Sequence, residues 1–272
     1  MTHAATLSIP IPVFPVFPVI PVRIRCATVL PLPAQARSAV RSAVACSLCR
    51  LQGVCLPGDL QAADVERFGD LATTKRRMAR GASLYRAGDA FDCLYAVRSG
   101  AFKSVGGSHN GDEKVTGFHI SGELLGLEAI SAGRHGYSAV ALEDSEVCAI
   151  PFAALEKMAS VVPALQHKLF RVLSGDISRD QGLMLLLGSM TAEQRLAAFP
   201  LSLSRRYQRL GFAANRFVLR MTREEIGNYL GLTLETVSRL LSRFHREGLL
   251  AVQQRDVEIR DAAALRAMVG HW

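Results

Sequence analysis

The stretch from residue 221 to residue 248 constrains the fold of this chain more strongly than any other part of its 272 residues. Thr222 can cap a helix, and Glu225 stands where the second member of a capping box is found. Gly231 can then form a tight turn, and Thr233 can cap a second helix. Apolar residues recur at intervals of three and four after each cap, as on the buried face of a helix. Two short helices joined by a glycine turn form a helix-turn-helix pattern.

The second helix of this pattern presents a polar stripe opposite its apolar face, as a recognition helix does in the major groove of DNA. Arg239 can donate two hydrogen bonds to guanine, Glu235 can accept one from cytosine, and Ser238 suits either kind of partner. Residues 249–252 and 257–259 flank a polar turn and predict a small wing hairpin. The alternative is an ordinary solvated helix face. The residues predicted to contact DNA are Thr233, Glu235, Ser238, Arg239, Ser242 and Arg243.

Two further sequence patterns precede the helix-turn-helix. Between Met78 and Pro151, short apolar runs are separated by glycine turns, which predicts a small antiparallel barrel or sandwich. From Val161 to Leu187, apolar residues follow a heptad-like spacing that predicts one long helix. We expect this helix to pair with a second copy of the chain, although a core helix of a single domain is the alternative. The residues assigned to the dimer seam are Leu173, Ile177, Asp180 and Met184.

Three cysteines lie close together near the N-terminal end, at Cys46, Cys49 and Cys55. Clustered thiols in a reducing compartment favour metal binding over disulfide formation. Soft sulfur ligands select zinc, copper(I) or an iron–sulfur cluster. A tetrahedral metal or a cubane cluster needs four sulfurs, so this segment lacks one ligand.

The overall charge is consistent with a nucleic-acid partner. A formal net charge of +8 and a pI near 9.5 favour a polyanion, although a basic solvated surface explains both values equally well. Prolines recur through much of residues 1–40, which disfavours helix and predicts a disordered tail. We find neither a signal peptide of normal form nor an apolar run of about 20 residues. We therefore expect a cytoplasmic protein with no membrane partner.

The order of these parts resembles the CRP/FNR family of bacterial transcription regulators, and most closely its fumarate-and-nitrate-reduction branch. The resemblance runs from about residue 45 to about residue 271. It rests on the cysteine spacing and on the motifs Gly117-Phe118-His119, Cys148 to Phe152, Arg195 to Phe199 and Glu235 to Arg239. It implies an α+β fold with an N-terminal β-roll (a cyclic-nucleotide-binding-like jelly roll), a long dimerisation helix and a C-terminal winged helix-turn-helix. The expected domains are a disordered tail (1–40), a cluster-binding segment (41–60), the β-roll (61–158), the dimerisation helix (159–190) and the winged helix-turn-helix (191–272).

The resemblance also implies a cofactor and a mechanism. Proteins of that branch hold a [4Fe–4S] cluster with three N-terminal cysteines and one from the β-domain, and Cys148 matches the fourth position. Cys26 and Cys93 match no ligand of the family. The intact cluster accompanies a homodimer that binds TTGAT-like palindromes in double-stranded DNA, with RNA polymerase as a further partner. Oxygen is the signal that destroys the cluster and ends DNA binding.

Asp180 interrupts the apolar seam of the long helix. In a parallel dimer the two Asp180 carboxylates would approach each other, and at a separation of about 6 Å and an effective dielectric of about 20 they would repel by about 3 kcal/mol. A dimer weakened in this way could be switched by a modest change at the cluster. The alternative is a solvated Asp180 at the edge of the seam.

Other interpretations of the same residues remain open. Cyclic-nucleotide receptors of this fold resemble Gly-Glu-Leu followed by Arg-Ser/Thr-Ala, but this chain has Gly122-Glu123-Leu124 and then Tyr137-Ser138-Ala139. Tyrosine stands where a phosphate needs arginine, so we expect no cyclic nucleotide. Four thiols can also hold structural zinc, which would not respond to oxygen in the same way. We find no nucleophile–base arrangement and no phosphate-cradling glycine loop, so we do not expect an enzyme.

Overall fold

The computed structural model of the protein describes residues 46–72, 74–107 and 113–270. The predicted tail at residues 1–40, including Cys26, lies outside the described residues. The described chain contains a β-roll, a long helix and a winged helix-turn-helix in that order, which confirms the predicted α+β architecture. None of its helices is both long enough and apolar enough to span a membrane.

The β-roll begins directly after the first helix. Its strands are β1 (Thr74–Met78), β2 (Ser83–Tyr85), β3 (Cys93–Ser99), β4 (Ala101–Gly107), β5 (Glu113–Ile120), β6 (Leu124–Leu125), β7 (Ser138–Ala141) and β8 (Ser145–Pro151). They form two four-stranded antiparallel sheets with the strand orders β1-β8-β3-β6 and β2-β7-β4-β5. Because side chains alternate across each strand, one set of apolar residues faces the interior. Phe102, Ala139 and Val147 are completely buried there.

Two helices cover one side of the roll, namely α1 (Ala62–Leu71) and α2 (Phe152–Val161). Phe68 of α1 and Leu155 of α2 are buried in the same apolar core. The predicted domain boundary between residues 158 and 159 falls inside α2. This helix was not predicted separately, because its apolar spacing runs on into that of the next helix.

Helix α3 (Pro163–Ser189) is the long helix that the sequence predicts, with 27 residues. It begins two residues later than expected. Val162 has an extended backbone (φ −121°, ψ 92°), which is the conformation favoured before a proline. The break allows α2 to remain on the roll while α3 takes a new direction.

One face of α3 is exposed and apolar. Phe170, Ile177 and Met184 recur at seven-residue intervals and are 58%, 58% and 65% exposed. Asp180 is exposed on the same helix, between two of them. Leu173, which is also assigned to the seam, is half-buried against the core of the roll. The exposed stripe also contains Phe170, which was not among the predicted seam residues.

The winged helix-turn-helix follows. Its elements are α4 (Ala192–Arg209), β9 (Arg216–Val218), α5 (Arg223–Leu230), α6 (Leu234–Arg246), β10 (Leu250–Gln253), β11 (Asp256–Ile259) and α7 (Ala262–Val269). The capping box of Thr222 and Glu225, the left-handed Gly231 (φ 66°) and the Thr233 cap are all confirmed. The wing pair β10–β11 is also confirmed. Strand β9 and helix α7 were not predicted, since they have only three and eight residues.

Candidate metal centre and DNA-binding surface

Four cysteines line one small cavity of about 30 Å³ between the N-terminal segment and the β-roll. Cys46 starts a short 3-10 turn, and the Cys49 amide donates to the Cys46 carbonyl at 3.2 Å. The Cys55 amide donates to the Leu51 carbonyl at 2.8 Å, which folds the segment back on itself. Cys148 reaches the cavity from β8. The structure thus brings together the four residues assigned as metal ligands.

The thiols have both apolar and cationic neighbours. Ile150 is completely buried in the wall of the cavity, and Arg98 also lines it. Lys75 of β1 is the register partner of Cys148 on β8. Both cations act on the thiols, since each lowers the pKa of Cys148 against the opposing effect of burial. The site therefore combines an apolar lining with nearby positive charge.

Burial dominates the acid–base state of the thiols. It raises the pKa of Cys46 and of Cys148, and it raises the pKa of Cys55 to about 12. These thiols stay protonated at neutral pH unless a metal displaces the protons. Binding of a soft metal at this site would therefore release protons.

The spacing of the thiols bears on which metal group fits. Within the described residues, no group of three or more His, Cys, Asp or Glu side chains is arranged to hold a single metal ion. A tetrahedral zinc with bonds of about 2.3 Å brings its sulfurs to about 3.8 Å from one another. Four thiols that line one cavity have the donor chemistry of a soft metal ion or of an iron–sulfur cluster.

The stripe on α6 that the sequence predicts is available for DNA. Glu235, Arg239 and Ser242 are exposed, while Val237 on the opposite face is completely buried. Ser238 is half-buried, and its hydroxyl accepts a hydrogen bond from Arg223 of α5 at 3.3 Å. Arg223 was not predicted to take part in this surface. Its hydrogen bond holds Ser238, which lies between Glu235 and Arg239 in the stripe.

Two of the predicted contacts have structural partners within the chain. The Thr233 hydroxyl accepts from the Thr236 amide at 3.2 Å and caps α6. Arg243 forms ion pairs with Glu193 of α4 and, at 3.0 Å, with Glu247. Both residues therefore help to hold the recognition helix in place.

In the region that resembles a nucleotide pocket, Glu123 is already paired with another residue of the chain. The Glu123 carboxylate is held by Arg206 of α4 in two hydrogen bonds. Tyr137 stands 40% exposed where the pocket would need arginine. His135 is buried nearby and stacks on Tyr85, with ring centroids 3.6 Å apart. Tyr137 itself offers a phosphate no positive charge.

A β-roll joined by a long helix to a winged helix-turn-helix defines a DNA-binding transcription regulator. Two family models match the chain, the cyclic nucleotide-binding domain over residues 75–161 and the Crp-like helix-turn-helix domain over residues 194–268. The transcriptional regulatory protein btr of Bordetella pertussis is 46% identical over 225 residues, which are 83% of this chain and 93% of that protein. The fumarate and nitrate reduction regulatory protein of Escherichia coli K12 is 43% identical over 229 residues, with coverages of 84% and 92%.

The chain therefore belongs to the CRP/FNR family of transcription regulators. The relatives that it matches are regulators and not enzymes. The solved structure of FixK2 from Bradyrhizobium japonicum is similar as well. It is 32% identical, with a TM-score of 0.67, and the match covers 73% of this chain and 98% of that structure. The family membership predicted from the cysteine spacing and the helix-turn-helix is confirmed.

Proposed function

We propose that this chain is an oxygen-responsive global transcription regulator that holds a [4Fe–4S] cluster through Cys46, Cys49, Cys55 and Cys148. Its homodimer binds palindromic DNA while the cluster is intact, and oxygen ends DNA binding by destroying the cluster. The observation that carries this proposal is the convergence of four thiols on one cavity. The relatives named for fumarate and nitrate reduction support it.

The residues of the chain have distinct tasks in this proposal. A bound cluster would supply an oxygen-sensitive link between the N-terminal segment and the β-roll. Cys148 anchors that link on β8, in the middle of a sheet, where its backbone pairs with Lys75 on one side and Ala96 on the other. Lys75 and Arg98 offset the negative charge of four thiolates. Loss of the link would free the 46–55 segment from the roll.

The dimer forms through α3. Phe170, Ile177 and Met184 present an apolar stripe at the seven-residue spacing of a two-stranded coiled coil. Asp180 lies within this stripe and weakens the pairing by charge repulsion. The stripe starts only a short distance from the helix end that packs beside the N-terminal segment, since Arg171 pairs with Asp59. A change at the thiols can therefore alter the balance between monomer and dimer.

DNA is read by the exposed stripe of α6. We assign base contacts to Glu235, Ser238 and Arg239, and a TTGAT-like half-site to each protomer. Ser242 extends the stripe toward the phosphates, while Thr233 and Arg243 fix the helix. The protein acts in the cytoplasm, where it contacts RNA polymerase at its target promoters.

Anaerobic purification followed by iron and sulfide analysis tests the cofactor. We expect about four iron and about four sulfide per chain, with a visible absorbance that bleaches in air. Cys148→Ser should lose the iron, whereas Cys93→Ala is the matched control, because Cys93 lies on the neighbouring strand β3 and is not part of the thiol cavity. A colourless protein with one zinc per chain would overturn the sensor proposal and leave DNA binding intact.

A further inference from the structure

The β-roll and the winged helix-turn-helix are joined by an ion pair between Glu123 and Arg206. The Arg206 Nε donates to Glu123 Oε1 at 2.7 Å, and Arg206 Nη2 donates to Glu123 Oε2 at 2.5 Å. The same Nη2 donates to the Phe118 carbonyl at 2.6 Å, and Glu123 also accepts from the Ile120 amide at 2.9 Å. The side chains of Arg206 and Glu123 are only 15% and 20% exposed. Because the pair is bidentate, largely buried and further hydrogen-bonded, the two side chains are held in a single relative orientation.

A second row of contacts lies further along the same interface. The Asn228 side chain of α5 accepts from the Val115 amide at 2.7 Å and donates to the Glu113 carbonyl at 2.8 Å, both on β5. Phe118 of β5 packs against Tyr229, with ring centroids 5.2 Å apart. These contacts involve β5, α4 and α5 together. They fix the orientation of α4 and α5 on the roll, and not only their distance from it.

The N-terminal segment reaches this interface as well. A Cβ atom on Gly122 would lie 2.9 Å from Val54 Cγ2 and 3.2 Å from Leu210 Cδ2. Val54 precedes Cys55, and Leu210 is the C-cap residue of α4, four positions after Arg206. Val54 therefore touches the place where the roll and the DNA-binding unit meet.

The interface leaves the DNA-binding stripe uncovered. Glu235, Arg239 and Ser242 remain exposed while Glu123 and Arg206 are enclosed. The contact therefore cannot act by masking the recognition helix. It acts on where that helix points.

Arg195 and Arg206 hold α4 at two positions along its length. Arg195 donates to the carbonyls of Met190 and Leu187, at 2.9 Å and 2.7 Å, and so holds the join between α3 and α4. Arg206 lies eleven residues further on, which is about 16 Å along a helix. Because this contact is far from the join, it restricts the direction in which α4 can point.

We propose that Glu123 and Arg206 are positioning residues that set the spacing between the two recognition helices of the dimer. The Glu123 carboxylate lies at the position that resembles a nucleotide pocket. It binds the Arg206 guanidinium of the same chain instead of a separate ligand. Two half-sites lie about one helical turn apart on DNA, so the recognition helices must be held at that separation. A preorganised orientation removes an entropy cost from DNA binding. The inference rests on the DNA-binding homodimer proposed above.

The test compares two DNA duplexes with the purified, anaerobic full-length protein. One duplex carries two TTGAT half-sites as a palindrome, and the other has one additional base pair between them. The unaltered protein should bind the first duplex about tenfold more tightly or better. Glu123→Gln should bring the ratio of the two affinities close to one, because the recognition helices then adapt to either spacing. Arg206→Lys, which keeps the charge but loses the bidentate bonds, should act in the same direction if the first variant does not fold.

Arg209→Ala is the matched control, because Arg209 is exposed on the same helix one turn after Arg206. Removal of its charge should weaken binding to both duplexes equally and leave the ratio unchanged. A folded Glu123→Gln or Arg206→Lys protein that keeps the unaltered ratio would overturn the inference. Failure of the unaltered protein to bind either duplex would overturn the proposed function, and this inference with it.

Discussion

The Lys103 ammonium on β4 lies 2.8 Å from Glu225 Oε1, and the other oxygen of the same carboxylate closes the capping box of α5. One carboxylate thus joins a strand of the roll to the first helix of the helix-turn-helix. Burial alone would raise the pKa of Glu225, but hydrogen bonds from Lys103 and from the Thr222 amide hold that pKa below its ordinary value of 4.5. The carboxylate is therefore charged throughout the physiological range.

Replacement of Lys103 by methionine should lower the free energy of unfolding at pH 7 by about 1 kcal/mol. Because the pKa of Glu225 is lowered in the folded protein, the contribution is present above pH 4.5 and disappears as the pH falls through the folded value. Urea unfolding at pH 7 and pH 4 measures both effects. Lys157→Met, at an exposed position of α2, is the control and should change neither value. An equal loss for the two variants would contradict the prediction.

Asp180→Ala should allow the protein to dimerise after exposure to air. The change removes two like charges from the α3 stripe, and with them a repulsion of about 3 kcal/mol at a separation of about 6 Å. Light scattering on air-exposed protein measures the mass. The control is Asp176→Ala, because Asp176 pairs with Arg179 at 3.2 Å and is not on the seven-residue stripe. An Asp180→Ala protein that stays monomeric in air rules out the switch.

Arg239→Ala should remove discrimination at one base pair of each half-site. The loss of a bidentate contact to guanine costs about 1–3 kcal/mol at that position and little elsewhere. Binding isotherms on duplexes with single substitutions in the half-site give this value directly. Arg246→Ala, at the exposed end of α6, should instead weaken binding to every duplex by a similar factor. Uniform weakening by Arg239→Ala would reassign that residue to a phosphate.

His119 should make the protein less stable in mild acid. Burial lowers the pKa of His119 from 6.5 to about 4, and Nε2 lies 2.7 Å from the Ser104 hydroxyl oxygen. The unfolded chain therefore takes up a proton between pH 6.5 and pH 4 that the folded chain does not, and stability falls as the pH falls through this window. The loss at pH 5 relative to pH 7 is about 2 kcal/mol.

The variant His119→Gln isolates this effect, because glutamine can still bond to Ser104 but does not titrate. Its stability should change less between pH 7 and pH 5 than that of the unaltered protein in urea unfolding. His167→Gln, at an exposed position of α3, should retain the full pH dependence. Identical pH dependence in all three proteins would show that His119 contributes nothing.

The local parts of the fold could be predicted from the sequence, because their signals lie within a few residues of one another. The capping box of Thr222, the Gly231 turn and the spacing of the α3 stripe are of this kind. The Glu123–Arg206 pair was not predicted, because its partners are 83 residues apart and each is an ordinary charged residue in its own segment. The place of Cys148 came only through the family resemblance, since no spacing rule connects it to the N-terminal thiols.

The two hydrogen bonds of Asn228 to Val115 and Glu113 have a consequence for the β-roll itself. Strand β5 is the last strand of its sheet, so its outer backbone groups would otherwise be open to pairing with another chain. The Asn228 amide occupies two of them and imitates a further strand. The DNA-binding unit therefore covers part of an edge that could otherwise pair with another chain. A truncated protein that ends after α3 would expose this edge and self-associate, even though every residue of the roll is present.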